Sequence, residues 1–360
     1  MNGKRKQRVL VAMSGGVDSA VAAALLVEQG YEVLGVTMHV WDYGDASEGA
    51  GHGRCCGPAD VSDARRTAFD LGIRHYVLNF KDLFRETVVL PFVESYRAGR
   101  TPVPCVACNR SMKFDHLVTK AAEVGAEFVA TGHYARIREG REGKRQVLRA
   151  VDQRKDQTYF LFNLRPEQIA RAIFPVGDLT KEGVRDAARA FGLPLADKPE
   201  SQEICFIPDG DTASFVTAAL GNQAPPPGEI VDKAGNTLGR HAGIHRYTVG
   251  QRRGLGLSGG PWYVVRLEPA TNRIVVGTTN DVLRTTFKVT DLNWLGPRGI
   301  GTARVSVKIR HAQAESEGCV RFLSSDSAEV TLAVPARAVA PGQAAVFYRG
   351  DWLLGGGWIT

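Results

Sequence analysis

Two groups of residues in this sequence have types and spacings suited to chemistry. The first is the run Ser14 to Ser19, in which two glycines let backbone N–H groups approach an anion and two serines add hydroxyl donors. The second is the Cys-x-x-Cys pair Cys105 and Cys108, together with the distant Cys205. A lone Cys-x-x-Cys motif serves as a redox pair, half of a zinc site or part of an iron–sulfur ligand set. The motif alone therefore selects no chemistry.

If the anion-binding loop holds a nucleoside triphosphate, the loop and the paired thiols together fit a two-step reaction. A nucleoside triphosphate can convert a carbonyl oxygen into an adenylate, and AMP then leaves more readily than hydroxide or oxide. A persulfide can supply the sulfur that displaces AMP, and a second thiol can release the product by forming a disulfide with the carrier. An ATP-dependent ligase or amidotransferase acting on a small molecule is the alternative from another class, but amide formation needs no paired thiols.

The elements that must position these residues follow a parallel-sheet pattern up to about residue 200. Short apolar runs alternate with helix-period segments, which is typical of a parallel sheet with helices on its faces. The predicted strands are Val9–Met13, Glu32–Met38, Arg74–Asn79 and Glu127–Thr131, and the predicted helices are Asp18–Gln29, Pro58–Leu71 and Ser111–Val124. The run Ser14 to Ser19 thus follows a strand and opens a helix, whose N-terminus favours an anion. Met38, Gly132 and His133 end strands at the carboxyl edge of the sheet, where open α/β folds bind ligands.

The second half of the chain has an all-β pattern. Pro225, Pro226 and Pro227 cannot continue a helix and indicate a connection between domains. Beyond them, glycines separate the predicted strands Trp262–Leu267, Arg273–Gly277, Ala303–Ile309 and Ala328–Ala333. We therefore predict an α/β nucleotide-binding domain over residues 1–208, a small β-rich central domain over 209–280 and a C-terminal β-barrel over 281–360.

Composition and charge exclude several classes of protein. The 360 residues carry 45 Lys and Arg against 38 Asp and Glu, a net charge of +7, and 44% are hydrophobic, as in an ordinary globular protein. No apolar run is long enough to span a bilayer and no signal peptide is recognisable, so we expect a cytoplasmic protein without a membrane partner. Six cysteines at irregular spacing do not form a disulfide scaffold.

Basic residues cluster in two stretches. Residues 136–155 hold eight basic and three acidic side chains, a local charge of +5, which fits either a solvated hairpin or a surface that contacts RNA phosphates. Residues 248–256 place Arg252 and Arg253 between glycines, which suits close approach to RNA phosphates or simply a β-turn.

Several motifs together resemble one family. The run Ala12–Ser19 is similar to the pyrophosphate loop of the ATP-pyrophosphatase (PP-loop) superfamily, and further matches extend over nearly the full length. They are Thr101–Phe114, Thr131–Ala135, Lys155–Phe160, Ser201–Ile207 and Thr248–Gly256. The complete set resembles the bacterial tRNA-specific 2-thiouridylases, whereas other ATP-pyrophosphatases share only the first motif.

The resemblance implies a site and its partners. Cys108 would be the catalytic nucleophile and Cys205 the persulfide carrier, the two joining as a transient disulfide. ATP with Mg²⁺ would contact Ala12, Met13, Ser14, Gly15, Gly16, Val17, Asp18, Ser19, Met38 and Gly132. The anticodon arm of tRNA, whose wobble uridine is the target, would contact Val103, Pro104, Cys105, His133, Lys155, Asp156, Gln157, Arg310, His311 and Gln343. Sulfur would come from a cysteine desulfurase, directly or through a sulfur-relay protein.

One position departs from the family pattern. Many members have an aspartate at the position of Cys105, where it is thought to act as a general acid or base, and an unperturbed thiol serves that role poorly at neutral pH. Cys105, Cys108 and Cys205 could instead hold an iron–sulfur cluster, an alternative that we rank below the persulfide route. The remaining cysteines are expected to be structural: Cys55 and Cys56 in a loop that orders on substrate binding, and Cys319 in a core strand.

Overall fold

The computed structural model describes residues 6–41, 57–140, 143–199, 204–207, 209–297 and 301–360. The described residues belong to two compact units. The first takes those within Met1–Val88, Cys105–Pro208 and Asp351–Leu353, and the second takes those within Val89–Pro104, Asp209–Gly350 and Leu354–Thr360. The boundaries at 208/209 and 280/281 stay predictions. No helix built from the described residues is long and apolar enough to cross a membrane.

The elements alternate in the first half of the chain and are mainly strands in the second. In chain order the α-helices are α1 (Val17–Glu28), α2 (Pro58–Asp70), α3 (Lys81–Phe84), α4 (Leu90–Arg97), α5 (Pro104–Ala107), α6 (Leu117–Glu123), α7 (Pro166–Arg171), α8 (Lys181–Ala190) and α9 (Thr212–Leu220). The strands are β1 (Arg8–Ala12), β2 (Glu32–His39), β3 (Arg74–Asn79), β4 (Phe128–Thr131), β5 (Ala135–Glu139), β6 (Arg145–Arg149), β7 (Ala172–Ile173), β8 (Gly228–Val231), β9 (Thr237–His241), β10 (Tyr263–Glu268), β11 (Arg273–Gly277), β12 (Leu283–Trp294), β13 (Thr302–Lys308), β14 (Ser316–Phe322), β15 (Ala328–Arg337), β16 (Ala344–Arg349) and β17 (Trp352–Ile359).

A five-stranded parallel sheet forms the centre of the first unit, as predicted. Its strand order is β3-β2-β1-β4-β7, so the chain proceeds to one side of β1 and later to the other. Ala12 at the end of β1 is in register with both Val36 and Thr131. Such a reversal of strand order opens a crevice at the carboxyl edge, and the run Ser14 to Ser19 begins there.

Helix α1 packs between two apolar cores, so its side chains are buried on nearly all sides. Its alanines pack on one side with Val9 and Val11 of the sheet, and on the other with Val184 and Ala188 of α8. Small side chains permit this close packing on both faces. The helix carries the loop Ser14 to Ser19 at its N-terminus, so the loop rests on a rigid element.

The predicted helix Ser111–Val124 is present but irregular. A π-helical segment over Cys108–His116 links α5 to α6. Its widened turn exposes a backbone carbonyl to an outside donor, since the Gln168 side chain donates to the carbonyl of Arg110 at 3.1 Å. π-helical turns of this kind are frequent at functional sites, and Cys108 is the first residue of this one.

The second unit contains a four-stranded sheet and a closed barrel. The sheet has the order β10-β11-β8-β9 and encloses a core that includes Ile230, Val264 and Ile274. The barrel is antiparallel with the order β12-β15-β14-β13-β16-β17, and it closes through pairing of β12 with β17. The prediction of a β-rich second half with a C-terminal barrel is confirmed. Sequence analysis did not find α4 and α9, which pack through Phe92 and Phe215 at 6.5 Å between ring centroids.

Candidate active site

The loop Ser14 to Ser19 is shaped as an anion cradle. The Ser19 hydroxyl accepts from the Ser14 amide at 3.1 Å and donates to the Gly16 carbonyl at 3.0 Å, which holds the loop in a tight turn. Gly16 caps α1 in an extended conformation, and no side chain among the described residues caps this helix end. The first-turn N–H groups of α1 are therefore left for an outside acceptor, and an anion is the natural one.

Two glycines are required by close packing around this loop. Gly15 has φ +72°, and a β-carbon there would lie 2.2 Å from the carbonyl oxygen of Asp60 in α2. Gly132, directly after β4, would place a β-carbon 2.7 Å from the backbone of Asp18 and Ser19. Any larger side chain would push the loop away from the sheet edge. The predicted ATP contact of Gly132 stays a prediction, but its packing role is already sufficient to require glycine.

Lys198 ties the loop to α2, and sequence analysis did not find it. Its ammonium donates to the Gly15 carbonyl at 2.9 Å, to Asp60 at 2.7 Å and to Asp63 at 2.5 Å. Burial alone would lower the pKa of Lys198, but hydrogen bonds with the two carboxylates outweigh burial and raise the pKa. Lys198 therefore stays charged over the whole physiological range. No local pattern signals it, because its partners lie more than 130 residues away.

A second lysine lies at the first turn of α1. Asp18 accepts from the Tyr134 hydroxyl and from the Lys181 ammonium, both at 2.7 Å. Lys181 is 9% exposed and sits 5.7 Å from the centroid of the Tyr134 ring. This lysine, also missed by sequence analysis, neutralises the Asp18 carboxylate at the first turn of α1.

The remaining predicted ATP contacts line the start of the loop and the neighbouring strand end. Met13 is 2% exposed and Met38 is 7% exposed. The Thr37 hydroxyl donates to the Met13 carbonyl at 2.7 Å, which fixes the ends of β1 and β2 relative to one another. Both methionines therefore lie at the carboxyl edge of the sheet, and their contact with ATP stays a prediction.

The three cysteines of interest differ in exposure. Cys105 on α5 is exposed, whereas Cys108 and Cys205 are partly buried. Phe206, next to Cys205, is 1% exposed and packs against Trp41 and Phe84 at centroid distances of 6.1 and 5.7 Å. The aromatic cluster anchors the Cys205 segment in the first unit, which also contains Cys108.

The structure does not support the iron–sulfur alternative. Within the part of the chain that is described, no three His, Cys, Asp or Glu side chains are grouped so that they could hold a metal ion. Cys105, Cys108 and Cys205 all lie in that part, so they do not form a ligand set here. Cys55 and Cys56 lie outside the described residues, as does Ser201–Glu203 of the Cys205 motif. Cys319 lies on β14, a strand as predicted, and is partly rather than fully buried.

His133 is a neutral, buried residue. It is 8% exposed, with the Thr131 hydroxyl 2.7 Å from Nδ1 and the Lys113 ammonium 3.5 Å from Nε2. Burial, followed by the positive charge of Lys113, holds the pKa of His133 well below its ordinary value. Because an ammonium only donates, Nε2 accepts and Nδ1 carries the proton toward Thr131.

The basic stretch 136–155 includes strands β5 and β6, and four of its arginines have partners within the protein. Arg136 pairs with Asp351 at 2.7 Å, Arg138 with Asp178 at 2.5 Å and Arg149 with Asp156 at 3.1 Å. Arg145 donates to the carbonyl of Ala170 at 2.8 Å, at the end of α7. Arg136, Arg138 and Arg149 are thus paired with acids distant in sequence, which favours the solvated-hairpin interpretation for these side chains. The interpretation of the run as a phosphate-contacting surface stays a prediction.

Two predicted tRNA contacts next to the hairpin are interior residues. Asp156 is 2% exposed, and its carboxylate accepts from Arg149, from the Ala150 amide and from the Thr158 hydroxyl. A direct contact of the Asp156 side chain with tRNA does not fit this geometry. Gln157 accepts from the Tyr134 amide at 3.0 Å. Lys155 is partly exposed and keeps its predicted role.

The other predicted tRNA contacts belong to the second unit or its border. Arg310 donates to the carbonyls of Val249 and Ala338 at 3.3 and 3.1 Å, and Gln343 donates to the Thr101 carbonyl at 3.0 Å. These two side chains brace backbone. His311 is exposed, Val103 is partly buried and Pro104 is buried.

Three family models match the chain. The tRNA methyl transferase HUP domain matches residues 7–209, the tRNA methyl transferase PRC-barrel domain matches 213–278, and the aminomethyltransferase beta-barrel domain matches 284–359.

Relatives match over the full length. The chain is 50% identical to the tRNA-specific 2-thiouridylase MnmA of Solibacter usitatus, over 98% of this chain and 99% of that protein. It is 48% identical to the protein of the same name from Geobacter metallireducens, over 100% and 98%. Among solved structures, NMN synthetase from Francisella tularensis aligns with 61% of this chain and 78% of its own at a TM-score of 0.34 and 17% identity, too distant to support any argument.

Proposed function

We propose that this chain, which belongs to the tRNA-specific 2-thiouridylase family, replaces the C2 oxygen of the tRNA wobble uridine with sulfur in an ATP-dependent reaction. The observation that carries the proposal is the identity of about half of all residues with these relatives over essentially the whole chain. The anion cradle at Ser14 to Ser19 and the two partly buried cysteines Cys108 and Cys205 supply the groups that this chemistry needs.

The first step is adenylation of the uracil. The C2 oxygen attacks the α-phosphorus of ATP, pyrophosphate leaves, and C2 then carries AMP. Residues Ala12 to Ser19, with Met38 and Gly132, hold ATP, because uncapped N–H groups at the start of α1 suit its phosphates. Lys181 offsets the negative charge of Asp18 at that helix end, and Mg²⁺ would reach the site with the phosphates, as it usually does.

The second step transfers sulfur. The terminal sulfur of a persulfide on Cys205 attacks C2, AMP leaves, and a disulfide joins the uracil sulfur to Cys205. The Cys108 thiolate then attacks the Cys205 sulfur, so a Cys108–Cys205 disulfide forms and 2-thiouridine is released. A thiol reductant restores both cysteines, and a cysteine desulfurase or a sulfur-relay protein reloads Cys205. The exposed Cys105 has no required part in this sequence of steps.

Catalysis and RNA binding would belong to different predicted domains. Residues 1–208 would perform the chemistry, and 209–280 and 281–360 would hold the RNA, with Lys155 and His311 among the accessible contacts. The wobble base is already single-stranded, so its entry into a pocket costs less than extrusion from a duplex. We expect the protein to act in the cytoplasm, where its tRNA substrate is found.

A methyl transfer is the second candidate, because two of the matching family models carry that name. It needs neither the anion cradle for ATP nor the pair Cys108 and Cys205. Nucleoside mass spectrometry separates the candidates, since one replaces oxygen by sulfur and the other adds a methyl group.

The test is an assay of unmodified tRNA with the protein, ATP, Mg²⁺ and a persulfide donor. We expect 2-thiouridine, AMP and pyrophosphate from the wild type, and no 2-thiouridine from Cys108→Ser or Cys205→Ser. Cys319→Ser is the matched control and should retain activity, as should Cys105→Ser. A methylated nucleoside, or full thiolation by Cys205→Ser, would contradict the proposal.

A further inference from the structure

One segment of the second unit is free of acidic residues. Residues 233–267 contain Lys233, Arg240, Arg246, Arg252, Arg253 and Arg266 and no Asp or Glu, a local charge of +6 in a chain whose total is +7. We call it the acid-free segment. The flanking acids, including Asp232 and Glu268, conceal it when charge is counted over the whole predicted domain 209–280.

Three arginines near the centre of this segment are exposed and have no ion pair with any residue that the structure describes. Arg240, Arg252 and Arg253 are exposed, and none of the three pairs with a carboxylate anywhere in the described parts of the chain. Only the two ends are neutralised: Lys233 donates to Asp281 at 2.5 Å, and Arg266 pairs with Glu268 at 2.7 Å. Arg252 and Arg253 thus carry positive charge that no described carboxylate pairs with, which favours a polyanion.

The loop that carries Arg252 and Arg253 is held rigidly at its root. Gly250 donates to the Val264 carbonyl at 2.8 Å, and Val264 donates back to the Gln251 carbonyl at 2.9 Å. Gly250 has φ +87°, and a β-carbon there would meet the β-carbon of Ala338 at 2.0 Å. The loop is therefore packed directly on the barrel strand region, and its arginines project from a fixed base.

Residues of the barrel and of the Thr101 region brace the same root. Arg310 donates to the Val249 carbonyl at 3.3 Å, and the hydroxyls of Thr101 and Thr248 lie 3.1 Å apart. Gln343 in turn donates to the Thr101 carbonyl at 3.0 Å. Two side chains predicted to contact tRNA thus also brace this loop, which preorganises its arginines for binding.

An open cavity lies beside Arg252. It has a volume of about 400 Å³ and is lined by Arg252, Leu255, Trp262, Pro261 and the glycines of the loop. Gly254, Gly256 and Gly259 all have positive φ, so the backbone itself turns around the cavity. A cavity of this size accommodates a small ligand, and an aromatic side chain next to arginines is the usual platform for an unstacked base.

From this geometry we propose that the loop 248–262 is the principal RNA-docking surface of the second unit. Arg252 and Arg253 contact phosphates of the tRNA backbone, and the cavity at Trp262 receives one unstacked base. The inference rests on the proposed function, since it names where the tRNA of that reaction is held. Trp262 beside Arg252 favours RNA as the occupant over an acidic sulfur-donor protein, because a base can stack on the aromatic ring while phosphates contact the arginines.

The test measures binding of unmodified tRNA over a series of salt concentrations. For Arg252→Gln/Arg253→Gln we expect Kd to rise about tenfold or more, and the slope of log Kd against log salt to fall by about two, since two phosphate contacts are lost. Arg266→Gln is the matched control, because its charge is already paired, and should change Kd by less than about twofold. Trp262→Leu should weaken binding about fivefold or more without changing the salt slope, whereas Trp262→Phe should retain most of the affinity.

Distinct outcomes separate this inference from the proposed function. If the wild-type protein binds and thiolates tRNA while the double variant keeps its affinity and salt slope, the surface assignment is wrong and the function stands. If the wild type itself neither binds nor thiolates tRNA, the function fails first. If the double variant binds tRNA normally but loses thiolation only with a protein donor, and not with inorganic sulfide, then the occupant is the donor protein and the inference is overturned.

Discussion

The hairpin 136–155 and the acid-free segment 233–267 have similar local charge, +5 and +6, and opposite surroundings. In the hairpin, Arg136, Arg138 and Arg149 are neutralised by Asp351, Asp178 and Asp156. In the acid-free segment, Arg240, Arg252 and Arg253 are exposed and have no ion pair with any described residue. The difference shows that the charge of a run of sequence does not define a binding surface. What matters is whether acids from elsewhere in the chain reach that run.

The largest expected effect comes from breaking the buried pair of the hairpin. The side chains of Arg149 and Asp156 are 6% and 1% exposed, so Arg149→Met leaves a buried carboxylate without its cation. We expect a loss of about 3–5 kcal/mol in the free energy of unfolding, measured by urea denaturation. The double variant Arg149→Met/Asp156→Leu should lose less, because no charge is left buried. If Arg149→Met kept the wild-type stability but lost tRNA affinity, Arg149 would contact RNA, and the contrast between the hairpin and the acid-free segment would be wrong.

Lys198 is a second paired cation, and we expect its ion pairs with Asp60 and Asp63 to hold the loop Ser14 to Ser19 in place. Lys198→Met removes the donor to the Gly15 carbonyl and leaves Asp60 and Asp63 without their cation beside the predicted ATP loop. We expect Kd for a non-hydrolysable ATP analogue to rise about tenfold or more, with Lys198→Arg recovering part of the loss, as calorimetry can measure. Lys120→Met, which breaks only an exposed pair with Glu123, is the control and should leave Kd unchanged. Equal ATP affinity in Lys198→Met and the wild type would show that Lys198 does not position the loop for ATP binding.

Arg138 and Arg253 are both surface arginines, but only Arg138 has an ion pair among the described residues, so we expect their substitutions to affect tRNA affinity differently. Arg138 is half exposed and paired with Asp178, so Arg138→Gln should change the free energy of unfolding by no more than about 1 kcal/mol. It should also leave tRNA affinity and its salt dependence unchanged, whereas Arg253→Gln should reduce both. Filter binding at two salt concentrations decides the matter. An equal loss of affinity in the two variants would show that the hairpin also contacts RNA.

The smallest effect is a pH dependence that originates beside the hairpin. The pKa of His133 is held below the ordinary 6.5, so the unfolded chain binds a proton there that the folded chain does not. The free energy of unfolding should therefore fall as the pH drops below about 6.5, and His133→Gln should remove that part of the decline. Urea denaturation at pH 7 and pH 5 measures it, with the exposed His311→Gln as a control that keeps the wild-type decline. A His133→Gln variant with an unchanged decline would contradict the assignment.

Local patterns were sufficient to predict the strand–loop–helix unit of the active site. β1, the run Ser14 to Ser19 and α1 are contiguous, so apolar runs and two glycines identify them without any tertiary contact. The predicted strand Arg74–Asn79 agrees with β3 at both ends. The same kind of pattern predicted the glycine-punctuated strands of the second half.

Interactions between distant segments could not be predicted in this way. Nothing in the sequence near Lys198 indicates that it reaches Gly15 and Asp60, and nothing near Arg138 indicates Asp178. The π-helical turn at Cys108 also involves a donor from outside the helix, because the Gln168 side chain donates a hydrogen bond to the Arg110 carbonyl. Periodicity over a single segment contains no information about such partners.

The sequence by itself determined which chemistry this protein carries, because the anion loop, the three cysteines and the full set of motifs are defined by residue type and short spacing. Only the tertiary structure decided which charges are available to a partner. An ion pair is a short-range contact between groups that folding brings together. Arg149 is therefore paired with the buried carboxylate of Asp156, whereas Arg252 and Arg253 remain exposed. The surface that we assign to RNA is therefore a property of the fold, although every residue in it was visible in the sequence.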